Sequence, residues 1–168
     1  IGGKWIAGSG GTFQVRSPHS REVVNVVARC DTSDVDQAVA AARAAQPAWA
    51  ALPIIERAKI LRRIHQLFLE RAEPIAQMLT AEIGKTITDS REEVYEYSAP
   101  SYNKAAEEIL RHRGLSLPST QEQTTNKRLV LGHRPLGVVG VITPYNFPTD
   151  ISSIALAHII AAGNTAVW

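Results

Sequence analysis

Residues 135–168 read PLGVVGVITPYNFPTDISSIALAHIIAAGNTAVW and combine two apolar runs, a proline-rich turn and a helical pattern. The first run, residues 137–142, lacks polar alternation, which is typical of a strand buried on both faces of a parallel sheet. A helical pattern follows over residues 149–162, and Gly163 lies directly after its predicted end. The stretch therefore predicts a strand–helix–strand unit with a right-handed crossover.

The turn between this strand and this helix, residues 143–148, contains two prolines and cannot be helical. In open α/β sheets, ligands bind beyond the carboxyl ends of the strands. Asn146 follows Ile142, the last apolar residue of the strand, by four positions. We therefore expect the Asn146 side chain to lie at the edge of the sheet where ligands bind.

Asn146 has two interpretations on the residues alone. Its side-chain amide can donate a hydrogen bond to a developing oxyanion, which would make it catalytic. Asparagine is also common in turns, where its side chain bonds the neighbouring backbone. The sequence pattern leaves both open.

The other candidate sites give weaker signals. Gly137 and Gly140 do not form a dinucleotide-binding fingerprint, because they lie within a strand and no third glycine opens the helix; close backbone packing is favoured. Cys30 is more typical of a buried cysteine than of a nucleophile. The histidines show no ligand spacing, so no metal site is predicted. Acidic and basic residues over 82–93 predict a charged helix junction with end caps and surface pairs.

Composition places the chain among ordinary globular proteins. It has 168 residues, 45% of them hydrophobic, and a net charge of +2. No long basic run predicts nucleic-acid binding, and no apolar run is long enough to predict a membrane span. The single cysteine, Cys30, excludes an internal disulfide and favours a reducing, cytoplasmic location.

The remaining pattern predicts an α/β fold. Strands are expected over residues 4–7, 12–16 and 22–28, and helices from Asp31 to before Gly114, with breaks at Pro47 and Pro100. Polar residues 119–126 and an alternating segment after them predict a β arm, either a solvent loop or a subunit contact. The last apolar run reaches Trp168 without a turn signal, so we expect these residues to be the front part of a longer protein.

Several of these segments together resemble the NAD(P)-dependent aldehyde dehydrogenase superfamily. The motifs that carry the resemblance are PLGVVGVITPYNFP at 135–148, AAGNT at 161–165, EIGK at 82–85, and IGGKW at 1–5. Asp89-Ser90 and Glu93-Val94 also match. Tyr145 stands where the family more often has tryptophan, and Ala155 and His158 stand where lysine and proline are frequent. These departures blur the subfamily and the substrate.

The resemblance implies a Rossmann-type parallel sheet in a cofactor-binding domain with a β oligomerisation arm. Residues 1–116 would form the N-terminal part of that domain, 117–134 the arm, and 135–168 the first strand–helix–strand unit. Asn146 would be the oxyanion donor, and Phe147 would face the substrate tunnel. The cleft for NAD or NADP would be lined by Ile142, Thr143, Pro144 and Tyr145. A homodimer or homotetramer is the expected assembly.

The implied reaction is oxidation of an aldehyde to a carboxylic acid. A cysteine thiolate attacks the carbonyl, Asn146 stabilises the oxyanion, hydride passes to the nicotinamide, and a glutamate-activated water hydrolyses the thioester. The resemblance places that cysteine and that glutamate beyond residue 168, so residues 1–168 alone are expected to be inactive. A CoA-acylating enzyme or a non-catalytic relative is the alternative. The motifs determine neither the aldehyde, nor NAD against NADP, nor the oligomer size.

Overall fold

Helices fill the middle of the chain and short strands lie towards both ends in the computed structural model, which describes all 168 residues. The elements are β1 (Thr12–Arg16), β2 (Val23–Ala28), α1 (Thr32–Ala51), α2 (Ile54–Glu70), α3 (Ala72–Ile83), α4 (Ile87–Glu92), a π-helical segment π1 (Glu93–Ser98), α5 (Ala99–Arg111), β3 (Leu115–Leu117), a 3₁₀ turn (Glu122–Thr124), β4 (Leu129–Leu131), β5 (Val138–Gly140), α6 (Asp150–Ala161) and β6 (Thr165–Val167).

The strands form three two-stranded sheets. β1 pairs with β2 and β3 with β4, both antiparallel, whereas β5 pairs with β6 in parallel. The predicted strand–helix–strand unit is present, although β5 covers only Val138–Gly140 of the predicted residues 137–142; at its start, Gly137 has a φ of 118°, outside the strand region. A strand over residues 4–7 was wrongly predicted: Trp5 is fully exposed and no strand pairs with this segment.

Helix α1 begins with a reciprocal cap and runs further than predicted. The Asp31 carboxylate accepts hydrogen bonds from the backbone of Ser33 and Asp34, and the Asp34 carboxylate accepts one from the Asp31 N–H at 2.9 Å. Such a capping box satisfies N–H groups that have no partner within the helix. Pro47 lies inside α1, so the prediction that it ends the helix was wrong.

Contacts with α6 explain why α1 continues past Pro47. The Trp49 indole N–H donates to the Ile160 carbonyl at 2.9 Å, and the Gln46 amide donates to the Gly163 carbonyl at 3.2 Å. These side chains flank the proline and cap carbonyl groups at the C-terminal end of α6. Tertiary hydrogen bonds therefore hold the helix in a place where local propensity predicts its end.

The core lies where α2 packs on α5 and α5 on α6. Leu61 of α2 is fully buried, and the rings of Phe68 and Tyr102 stack with their centroids 5.5 Å apart. The other buried residues of this cluster are small, which lets the helices approach closely: Ala58, Ala105, Ala106, Ala157 and Ala161. No helix in this fold is long and apolar enough to cross a bilayer.

The end of α6 is joined to the start of β5 through Asn164. Gly163 has a φ of 87°, and its N–H and that of Asn164 donate to the Ile160 and Ile159 carbonyls at 3.1 Å, the pattern of a Schellman cap. The Asn164 side chain is 6% exposed; its Oδ1 accepts from the Gly137 N–H at 2.9 Å and its Nδ2 donates to the Ile159 carbonyl at 3.2 Å. Asn164 therefore fixes the position of the end of α6 relative to the start of β5, a role that the sequence pattern did not predict.

Candidate active site

The corner between β5 and α6, residues 143–148, lies beyond the carboxyl end of β5. Asn146 is exposed, and the hydrogen bonds that hold the corner are made by its neighbours. The Ile151 N–H donates to the Phe147 carbonyl at 3.2 Å, and the Trp168 indole N–H donates to Thr143 Oγ1 at 3.1 Å. The Asn146 amide is therefore available to a ligand, and its oxyanion role stays a prediction.

The residues predicted to line the cofactor cleft follow one another at this edge. Ile142 is fully exposed and Tyr145 is 86% exposed, so both offer apolar surface outside the strand. Pro144 is also exposed, whereas Thr143 is half-buried against the Trp168 indole. Residues 142–145 therefore form a strip of the chain beyond β5 that is exposed except at the half-buried Thr143.

Glu93 lies beneath the corner and is fully buried. Its Oε1 accepts three hydrogen bonds: from the Thr149 N–H at 2.9 Å, from Thr149 Oγ1 at 2.8 Å, and from the Asp150 N–H at 3.2 Å. Its Oε2 forms an ion pair with the Lys85 ammonium. The carboxylate thus caps the N-terminal end of α6 from another helix, where negative charge is favourable.

The expectation of surface pairs at residues 82–93 is therefore wrong for Glu93 and Lys85. The Glu93 side chain is 0% exposed and that of Lys85 is 14% exposed. Glu93 opens the π-helical segment π1, which carries its side chain inward towards α6. Lys85 and Glu93 both lie in motifs that carry the family resemblance. No local pattern, however, indicates that the start of a helix 56 residues further along the chain covers Glu93.

Electrostatics at the corner are governed by Glu93. Burial raises the pKa of its carboxyl, but hydrogen bonds from Lys85, Thr149 and Asp150 outweigh burial and hold the pKa below its ordinary value. Burial, and then the Glu93 charge, raise the pKa of Asp150. Asp150 Oδ1 is buried without a hydrogen-bond partner. Glu93 is therefore ionised at neutral pH, and its Oε1 accepts from the Asp150 N–H at 3.2 Å, so its charge acts directly on the Asp150 carboxyl.

Lys85 connects Glu93 to the predicted substrate-facing residue. Its ammonium lies 3.9 Å from the centroid of the Phe147 ring, a cation–π distance. Phe147 itself is 39% exposed, so one part of the ring contacts Lys85 and another part is open. The structure thus brings Lys85, Glu93 and Phe147 into one cluster beside Asn146.

The remaining candidates lie away from the corner. Cys30 is exposed rather than buried, in the segment between β2 and α1. Close packing does not explain Gly137 or Gly140, since a Cβ added at either position would meet nothing within 4 Å; Gly137 instead needs its positive φ. No group of three or more His, Cys, Asp or Glu side chains is arranged to hold a metal ion.

Comparisons with known proteins agree on one family. The model of the Aldehyde dehydrogenase family matches residues 5–168. An N-succinylglutamate 5-semialdehyde dehydrogenase of Burkholderia orbicola is 37% identical over 175 aligned positions, which cover 100% of this chain and 34% of that protein. The chain therefore spans about one third of the length of this relative.

Two solved structures have a closely similar backbone over 99% of the chain. An NADP-dependent enzyme from E. coli superimposes with a TM-score of 0.93 at 33% identity, and the match covers 34% of its chain. An NAD-dependent benzaldehyde dehydrogenase from Corynebacterium glutamicum superimposes with a TM-score of 0.90 at 32% identity, over 36% of its chain. Both likenesses include the β5–α6 corner.

Proposed function

Because this chain belongs to the aldehyde dehydrogenase family, we propose that the full-length protein oxidises an aldehyde to a carboxylic acid and passes the hydride to NAD or NADP. The observation that carries the proposal is the exposed Asn146 amide beyond the carboxyl end of β5. Its corner is anchored by the buried Glu93, which bonds the first residues of α6. An exposed donor on a buried, fixed support is what a preorganised oxyanion site requires.

Asn146 is the proposed oxyanion donor. Its side-chain N–H would bond the aldehyde oxygen as that oxygen becomes negative, and would stabilise the transition state more than the substrate. The nucleophile and the base would come from residues outside 1–168. Within residues 1–168, the proposed contribution is to orient the carbonyl and to stabilise its charge.

The proposed cofactor contacts follow the exposed strip beside the corner. NAD(P), when bound, would accept the hydride; the chain's part is to hold it against the strip and to exclude water. The exposed apolar surface of Ile142 and Tyr145 supports this placement, and Phe147 would face the substrate. The choice between NAD and NADP stays open, since relatives of both kinds match equally well.

A second copy of the chain is the proposed partner of the β3/β4 arm. These strands pair with each other, yet leave their apolar side chains outside the core, which favours subunit contact over a solvent loop. The exposed residues are Leu115, Leu117, Leu129, Val130 and Leu131. The assembly size and the cytoplasmic location stay predictions.

The test is an activity assay of the purified full-length protein. It is mixed with NAD or NADP and, in separate reactions, with succinylglutamate semialdehyde, glutarate semialdehyde or benzaldehyde, and the reduced cofactor is followed by absorbance. We expect aldehyde-dependent reduction with the free acid as product. Reduction of the cofactor only in the presence of CoA, with an acyl-CoA as the product, would support the alternative chemistry. No reduction of the cofactor with any of the three aldehydes would contradict the proposal.

A further inference from the structure

The buried ion pair of Glu93 and Lys85 has an arrangement that core packing alone does not require. A buried carboxylate is costly unless its acceptor sites are filled and its charge is paired. Glu93 meets both conditions through Lys85 and the backbone and hydroxyl groups at Thr149 and Asp150. All of its partners on the α6 side belong to the segment that immediately follows the corner.

The ion pair and the hydrogen bonds of Glu93 form a frame that holds Thr149 and Asp150. A second contact of Lys85 extends this frame to Phe147, the residue next to Asn146. The Lys85 ammonium lies over the Phe147 ring at 3.9 Å while it pairs with Glu93. Ser98, at the end of π1, adds a hydrogen bond of 2.9 Å from its hydroxyl to Thr149 Oγ1. The frame thus holds the side chain of Phe147 and the main chain at positions 149 and 150.

Asn146 depends on this frame because its own side chain is exposed and unanchored by the corner's hydrogen bonds. On its N-terminal side, the corner is tied by the Val141 N–H to the Val167 carbonyl at 2.8 Å and, at the solvent surface, by the Trp168 indole to Thr143. On its C-terminal side, it is tied to a fully buried charge. The anchors nearest to Asn146 along the chain therefore lie on its C-terminal flank, at residues 147, 149 and 150.

We propose that Glu93 and Lys85 are positioning residues for catalysis: their ion pair fixes residues 147–150 and so aims the Asn146 amide at the reacting carbonyl. The proposal rests on the proposed function of Asn146. π-Helical turns such as π1 occur often at functional sites, and here the turn presents Glu93 to the catalytic corner. Neither residue touches the substrate; both act through Asn146.

Two variants separate the parts of the frame. Glu93→Gln keeps an oxygen that can accept from Thr149 and Asp150 but loses the charge that holds Lys85. Lys85→Met keeps the Glu93 carboxylate but removes the cation over Phe147. A displacement of about 1 Å at a reacting centre costs up to ~10²-fold in rate, so we expect each variant to slow hydride transfer by about 10- to 100-fold.

A matched control is the ion pair of Arg91 and Glu73, which joins α4 to α3 near the same frame. Its two hydrogen bonds measure 2.9 and 2.7 Å, but its side chains are 50% and 41% exposed and do not contact the corner. Exposed pairs contribute little to stability. Arg91→Met is therefore expected to leave the rate of hydride transfer within about twofold of wild type.

The deciding experiment is a double-mutant cycle in the full-length enzyme, measured as the single-turnover rate of cofactor reduction. Glu93→Gln should cost about 10- to 100-fold in the wild-type background and less than about threefold when Asn146→Ala is already present. The dissociation constant of the cofactor should stay unchanged in all variants. Equal losses in both backgrounds would overturn the proposal, because Glu93 would then act independently of Asn146.

Two outcomes keep this test distinct from that of the function itself. If Asn146→Ala alone leaves the rate unchanged, the proposed oxyanion role fails, and the positioning role fails with it. If Asn146→Ala slows the reaction and Glu93→Gln causes the same fold loss in both backgrounds, only the positioning role fails. Should Glu93→Gln not fold, the cycle is run with Lys85→Met, for which the same two results support or overturn the inference.

Discussion

Replacing Asn164 with alanine would remove the link between the end of α6 and the start of β5. The Gly137 N–H would lose its acceptor at 2.9 Å and keep no other, whereas the Ile159 carbonyl would still accept from the Asn164 N–H at 3.1 Å. An unsatisfied donor costs about 1–3 kcal/mol when it is buried, and a lost hydrogen bond costs about 0.5–1.5 kcal/mol. Because the Gly137 N–H is only partly buried, the lower part of the first range applies to it. The expected loss of local stability is therefore about 1.5–3 kcal/mol.

Hydrogen exchange of the full-length protein measures this loss locally, without requiring that the whole protein unfolds in one step. A change of 1.5–3 kcal/mol corresponds to about 10- to 150-fold faster exchange in the peptide that contains Gly137. The control is Asn25→Ala, because Asn25 is exposed and its side chain bonds only the next residue. Unchanged exchange at Gly137 in the Asn164 variant would refute the reasoning.

Three further perturbations test the core and the charges around the corner. Leu61→Ala should lower the free energy of unfolding, measured by thermal unfolding, by about 2–5 kcal/mol, because Leu61 is fully buried. Leu69→Ala is the control and should cost far less, because Leu69 is 40% exposed. Equal costs for the two variants would be inconsistent with the packing. Asp150→Asn should stabilise the folded protein at neutral pH, because the folded-state pKa of Asp150 is raised. The gain in stability should vanish as the pH falls to 3.8, the ordinary pKa of an aspartate. A gain that is the same at every pH would exclude this cause. Glu93 has a lowered pKa, so its contribution to stability is fully present above the ordinary glutamate pKa of 4.5 and is lost as the pH falls further. The Glu93→Gln variant should therefore be less stable than wild type at pH 7 and should lose less stability on acidification. Parallel curves of stability against pH for the two proteins would contradict this.

The strand–helix–strand unit was predictable because its signals are local. An unbroken apolar run, a proline-rich turn and a glycine after the helix act within a few residues of each other, and the Schellman cap at Gly163 follows from the same pattern. The family motifs cover the same segments. The position of Asn146 beyond the strand could therefore be predicted, although its chemical role could not be derived from its neighbours.

The features that sequence reasoning missed depend on distant partners. Pro47 stays inside α1 because side chains on both sides of it bond α6. Glu93 is a structural centre only because Thr149 and Asp150 lie above it in space. Asn164 matters through Gly137, 27 residues earlier in the chain. Local propensity carries no information about such contacts, which exist only once the elements have packed.

The most direct test of the central claim is the rate of the chemical step in full-length Asn146→Ala, measured by single-turnover reduction of the cofactor. If Asn146 stabilises the oxyanion, this rate falls by about 10²–10³-fold, or about 2.7–4 kcal/mol of transition-state stabilisation, while Asn25→Ala leaves it unchanged. A single-turnover rate equal to that of wild type would contradict the account.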